Sequence, residues 1–148
     1  MKVHFKPEGY HTVTPYLVVE GAADAIAFMV DALGGAETMR LPGPEGRIGH
    51  AEVRIGDSVV MIADPPTPGD VRPGMLHLYV EDSDAVYARA IERGASSLRE
   101  PVTEFYGDRI SGIEDAWGNQ WHVATHVEDV SEEEMTRRAA ERVGAQSS

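Results

Sequence analysis

Residues 15–35 read P-Y-L-V-V-E-G-A-A-D-A-I-A-F-M-V-D-A-L-G-G, and residues 76–95 read L-H-L-Y-V-E-D-S-D-A-V-Y-A-R-A-I-E-R-G-A. In each, a short apolar strand ends in Val-Glu and passes directly into a helix that ends at glycine. Sliding the chain by about 61 residues lays Val19-Glu20 on Val80-Glu81 and brings the two helices together. Self-similarity at one fixed offset marks a duplicated unit. Working outward, residues 12–20 form the first strand, with Val13, Leu17 and Val19 on one side and Thr14, Tyr16 and Val18 on the other. Ala22, Ala25, Ile26, Met29, Val30 and Leu33 give the helix over 22–33 a single apolar stripe. Gly34 and Gly35 end it by admitting a left-handed residue.

Residues 37–41, 49–55 and 58–63 alternate as strands, and Gly56-Asp57 makes the hairpin turn between the last two. Pro65, Pro66, Pro68 and Pro73 then break the chain near its middle. The second half repeats the grammar: a strand over 76–80, a helix over 84–93, and strands over 97–103, 109–114 and 120–125. The unit is β-α-β-β-β, twice, which predicts an α+β fold in one domain: module one about 10–64, module two about 75–127. Ser131 followed by Glu134 is a capping-box pattern, so a C-terminal helix is expected over 131–143, with 144–148 as a frayed tail.

Bulk composition narrows the function. The chain has 148 residues, 13 basic against 25 acidic, for a net charge of -12. A nucleic-acid binder needs basic patches to displace phosphate counterions, and an anionic membrane asks for the same, so neither partner is expected. There are no cysteines, which removes thiolate chemistry and disulfides. No apolar run approaches a membrane span, and a cytoplasmic protein is expected.

Strand parity selects the candidate site residues. If Leu17, Val19, Leu78 and Val80 face the helices, the opposite face carries Thr14, Tyr16, Met75, His77 and Tyr79. The same alternation adds His50, Glu52, His122 and His126. His50, Glu52, His77 and His122 are candidates for an unconventional metal or acid–base site, because imidazole near neutral pH both binds metals and moves protons; His50 and His122 are the catalytic candidates among them. Arg109 is a candidate for holding an anionic ligand group, against the simpler reading of an ion pair to Asp108 or Glu114. Trp121 is assigned to the core. Trp117 is placed in the turn, at the site mouth or a subunit contact.

Four segments carry a resemblance: P-Y-L-V-V-E-G-A-A-D-A-I-A-F at 15–28, H-A-E-V-R-I-G-D-S-V-V-M-I-A-D at 50–64, V-E-D-S-D-A-V-Y-A-R-A at 80–90, and Y-G-D-R-I-S-G-I-E-D-A-W-G-N-Q-W-H-V-A-T-H at 106–126. In this order they resemble the vicinal oxygen chelate superfamily (glyoxalases, bleomycin-resistance proteins and extradiol dioxygenases), in its PhnB-like branch. The resemblance implies a cupped mixed sheet with helices on its convex side, a small-molecule ligand on the concave side, and a homodimer. It also implies one divalent metal, bound by the first and last strands of each module. Carried over, those positions are Thr14, Met61, Met75 and His122. A threonine and two thioethers are poor partners for the metals this superfamily uses. The expectation is therefore a binder of a small, partly apolar molecule, with no cofactor and with Thr14, Tyr16, His50, Glu52, Met61, Met75, His77, Tyr79, Arg109 and His122 lining the cup. The alternative is a lyase, isomerase or dioxygenase of the glyoxalase type that uses one divalent metal or histidine acid–base chemistry.

Overall fold

The computed structural model describes residues 2–147, with the side chains of 146 and 147 left out. Module one comprises β1 (Tyr16–Val18), α1 (Ala22–Leu33), β2 (Ala36–Pro42), β3 (Ile48–Ile55) and β4 (Ser58–Ala63). Module two comprises β5 (Met75–Tyr79), α2 (Ser83–Glu92), β6 (Ser96–Thr103), β7 (Asp108–Glu114) and β8 (Gln120–His126), and α3 (Glu132–Ser147) follows. Each module folds into a four-stranded mixed sheet of the same order, β1-β4-β3-β2 and β5-β8-β7-β6. In both, the first strand lies parallel to the last, and the other pairings are antiparallel. Leu17 pairs with Ile62 and Leu78 with Val123, so the two pairs are equivalent at the 61-residue offset.

One hydrophobic core joins the modules. Leu17, Val19, Val53 and Ile62 from the first sheet, Ile113, Trp121 and Val123 from the second, and the apolar stripe of α1 belong to a single buried cluster. The helices meet on this side: Arg93 pairs with Asp31 at 3.2 Å, and Arg89 donates to the Ala32 carbonyl at 3.4 Å. Arg72, in the linker before β5, forms an isolated antiparallel bridge with Val18 of β1. Among the described residues, no helix is long and apolar enough to cross a membrane.

Two boundaries differ from the sequence reading by more than two residues. β1 begins at Tyr16 rather than residue 12. Pro15 has no N–H to extend the ladder, although its carbonyl still accepts from Met61 N at 2.9 Å. The chain before it leaves the sheet, and Thr14 turns its hydroxyl to the His11 carbonyl at 3.2 Å. The C-terminal helix also runs on through Ser147, into the segment expected to be a tail, while Ser148 lies outside the described residues. Ser131 Oγ accepts from Glu134 N at 3.1 Å. The Glu134 carboxylate completes no capping box: it turns to Arg137 and Arg138, which hold its carboxyl down to about 2.

The segment leading to α3 is latched at Gly107. Val127 N and Glu128 N both donate to the Gly107 carbonyl, at 2.8 and 3.1 Å. Gly107 has φ +100°, and a Cβ there would lie 2.1 Å from the Glu128 carbonyl oxygen. Gly107→Ala is therefore expected to cost about 1–3 kcal/mol by adding left-handed strain and displacing the latch. Limited trypsinolysis should then cut at Arg137 and Arg138 much faster than in the parent, while the rest of the chain persists. Unchanged cleavage would refute the latch.

A concave polar face with two hydrogen-bond networks

Period-two alternation divides β3 cleanly. Ala51, Val53 and Ile55 enter the core, leaving His50, Glu52 and Arg54 on the opposite face. His50 and Glu52 are two residues apart on one strand and so share a side. His50 Nε2 lies 2.7 Å from Glu52 Oε2, and Tyr16 Oη lies 3.0 Å from His50 Nδ1. Tyr10, from the segment that leaves the sheet, donates its hydroxyl to Glu52 Oε1. Burial alone would push the Glu52 carboxyl up, but the hydrogen bonds from Tyr10 and His50 outweigh it and hold the group below its ordinary range. Glu52 is thus a carboxylate. It takes an N–H from His50 Nε2, so in the neutral imidazole Nδ1 is the acceptor and Tyr16 donates.

The N-terminal segment runs beside this face and borders an open cavity of about 470 Å³ lined by Phe5, Pro7, Tyr10, Thr14, Glu52 and Met61 among others. Its walls combine apolar rings and a thioether with a few polar groups, the usual make-up of a small-molecule site.

The equivalent face of module two is organised differently. His77 and His122 are register partners across β5 and β8. His77 also lies against Tyr79, the rings tilted by 42° with centroids 4.9 Å apart. Burial pushes the His122 imidazole below its ordinary value, and the neighbouring His77 and Arg99 push it the same way. Its Nε2 is buried without a hydrogen-bond partner. β7 places Gly112 opposite the ring, where a Cβ would lie 3.3 Å from Nδ1. Farther along, buried Asp108 accepts from Tyr79 Oη at 2.8 Å and lies 2.8 Å from His126 Nδ1, whose Nε2 lies 2.7 Å from Asp129. Met75 is 72% exposed. A wider space of about 1150 Å³ wraps the free edge of β5, between Leu33 and Val60 of module one and Leu78, Tyr79 and Arg89 of module two.

Not every candidate residue takes its expected place. His50, Glu52 and Tyr16 come together on one sheet, and His77 and His122 on the other. The two groups do not merge: among the described residues, no three His, Cys, Asp or Glu side chains converge to hold a metal ion. At the positions carried over from the resemblance, Thr14 Oγ1 is committed to a backbone carbonyl and Met61 and Met75 are thioethers, so these residues do not fit a divalent metal. Arg109 is not poised for a ligand in this chain. It pairs through Nε and Nη2 with Asp84 of α2, at 3.1 and 3.2 Å, and that partner is neither Asp108 nor Glu114. Trp121 is fully buried, as expected. Trp117 lies against α1 rather than at a mouth, its ring centroid 6.1 Å from that of Phe28. Tyr10 and Asp108 were invisible to parity, since Tyr10 lies outside any strand and Asp108 sits at a strand end.

Two matching modules, one shared core and polar sheet faces define a paired βαβββ protein. The profile of the Glyoxalase/Bleomycin resistance protein/Dioxygenase superfamily matches residues 9–123, and the chain belongs to that superfamily. An uncharacterized protein of Mycobacterium bovis is 34% identical over 134 residues, covering 83% of this chain and 88% of the relative. TioX from a Micromonospora species superposes with TM-score 0.68 at 21% identity, over 79% of this chain and 99% of that one. TnmS3, an antibiotic-binding protein from a Streptomyces species, superposes with TM-score 0.61 at 26% identity, over 78% and 95%. A PhnB protein from Bacillus cereus gives 0.63 at 15% identity, over 78% and 99%.

Proposed function

We propose that this chain is a cytoplasmic binding protein that holds a small, partly apolar molecule on its concave face, without a metal at the superfamily's usual positions, and works as a homodimer. The observation that carries the reading is the 470 Å³ cavity beside the N-terminal segment, where Tyr10, Glu52 and Met61 offer polar and apolar contacts together. The likeness to an antibiotic-binding protein at 26% identity supports it. The dimer is supported by Leu41, Met75 and Tyr79, large apolar side chains that face water in a single chain.

Untagged protein should carry no stoichiometric Zn, Mn, Ni or Fe by mass spectrometry. Its melting midpoint should ignore those ions and rise with members of a panel of small aromatic compounds, antibiotics included. A ligand at 100 times its Kd adds about 2.7 kcal/mol of stability. Light scattering should give twice the 16.1 kDa of one chain. The competing reading is a glyoxalase-type lyase, isomerase or dioxygenase, favoured by the unpartnered His122 nitrogen beside His77. Stoichiometric metal that disappears in His122→Ala would establish that reading and end the metal-free one.

A further inference from the structure

We infer that Tyr16, His50 and Glu52 form a proton relay that selects ligands bearing a weakly acidic O–H, phenols and enols, and holds them as their anions. This rests on the small-molecule reading above and names its ligand class. Both oxygens of Glu52 are occupied, Oε1 by the Tyr10 hydroxyl and Oε2 by His50. His50 is thereby fixed with its N–H toward the carboxylate and its bare Nδ1 toward Tyr16. Because Tyr16 spends its own proton on His50, its oxygen is left with lone pairs for a donor arriving from the cup. An acceptor polarised in this way favours an acidic O–H over an ether or a carbonyl.

The transfer balances without any further reagent. The ligand O–H breaks as a new O–H forms at Tyr16 Oη; the former Tyr16 O–H breaks as an N–H forms at His50 Nδ1. The ligand is left as an oxyanion accepting from Tyr16, and the imidazolium lies against the Glu52 carboxylate. Exposure grades along the line, from 5% for the Glu52 side chain through 24% for the His50 side chain to 47% for Tyr16. The charge-compensating end is thus shielded from water, while the Tyr16 phenol stands half exposed on the same sheet face, beside Met61, which lines the cavity with Glu52 although Tyr16 and His50 do not. Met61 pairs with Tyr16 in register, and Leu41 with His50, so apolar groups flank the relay where a ligand ring would lie. The chain's net charge of -12 repels a ligand that arrives already ionised. A neutral acid that ionises only on docking avoids that penalty.

The test uses 4-nitrophenol, whose phenolate absorbs at a wavelength of its own, and 4-nitroanisole, which has the same ring without the O–H. At a pH where free 4-nitrophenol is mostly neutral, the full-length protein should bind it with the phenolate band. Tyr16→Phe and His50→Gln should abolish the band and weaken binding about 10- to 100-fold, the loss of a hydrogen bond to a charged group. Binding of 4-nitroanisole should be the same in the parent and in Tyr16→Phe. Tyr16→Phe removes a single oxygen, so the result stands even if His50→Gln does not fold. A neutral bound nitrophenol, a band that survives Tyr16→Phe, or nitrophenol bound no tighter than nitroanisole would overturn the relay. If nitroanisole and other apolar compounds bind without any preference for the phenol, the ligand class falls and the small-molecule reading survives. If neither probe binds, the relay falls, and the wider compound panel decides that reading separately.

Discussion

Asp115→Ala is expected to lower unfolding free energy by about 3–5 kcal/mol, among the largest losses available to a polar substitution in this chain. The Asp115 carboxylate is buried in the β7–β8 turn and accepts four hydrogen bonds. Trp117 N and Asn119 N reach Oδ1 at 2.9 Å each, while Asn119 Nδ2 and Trp121 Nε1 reach Oδ2 at 3.0 and 2.9 Å. Trp121 is wholly buried and Asn119 nearly so, so removing the carboxylate leaves donors that water cannot reach. Each such orphan costs about 1–3 kcal/mol. The damage also spreads beyond the turn. Asn119 Oδ1 accepts from Gly74 N at 2.9 Å, at the approach to β5, and Trp117 packs on α1. Asp115→Asn keeps the shape but turns an amide donor toward existing donors, and should cost about 2–3 kcal/mol. Urea denaturation of parent, Asp115→Ala, Trp121→Phe and the double variant measures the coupling directly. A loss under about 1 kcal/mol for Asp115→Ala, or full additivity with Trp121→Phe, would show that the turn does not depend on this carboxylate.

The same turn marks how far the sequence could be read. The duplicated module was legible because its signals are local. The apolar stripe of α1, the Gly34 stop and the alternation of β3 each follow from backbone periodicity within about a dozen residues. The offset marked two equivalent units, and the structure pairs Leu17 with Ile62 and Leu78 with Val123 at that same offset. Parity also put His50, Glu52 and Tyr16 on one face, where they do meet. What it could not supply was partner choice across long separations. Tyr10 reaches Glu52 over 42 residues, and nothing in a strand period announces a residue that has left the strand. Arg109 had nearby acids at Asp108 and Glu114. Strand alternation turned those two toward the cup face, however, and α2 brought Asp84 to the face that Arg109 occupies. Thr14 was assigned by extending β1 through Pro15, where the missing N–H ends the ladder.

Asp64→Ala should cost about 2–4 kcal/mol, and the parent's dependence on this carboxylate should itself be pH-dependent. Helix α1 begins at Gly21, whose lack of a side chain leaves the helix without a cap of its own. Asp64, just beyond β4, supplies one from across the module. Its Oδ1 accepts from Gly21 N and Ala22 N at 2.9 and 3.0 Å, and its Oδ2 accepts from Ile48 N at 2.7 Å. One carboxylate thus ties the start of α1 to the start of β3 and places a negative charge at the positive end of the helix dipole. Burial by itself would raise the Asp64 carboxyl. The three backbone N–H groups, with Arg47 nearby, overcome that and hold it below its ordinary value of 3.8. A depressed folded value means that the stabilisation is fully present above the unfolded value and is lost as pH falls through the folded one. Parent and Asp64→Asn should therefore differ most at neutral pH and converge as pH drops below the ordinary carboxylate range. Isosteric Asp64→Asn keeps one acceptor but sets an amide N–H against a backbone donor, so it should recover little of what alanine loses. Thermal melts of both variants from pH 7 down into the acid range measure the effect. A gap between parent and Asp64→Asn that stayed constant with pH would mean that the cap acts through shape rather than charge. A gap that widened toward acid would contradict the depressed carboxyl itself.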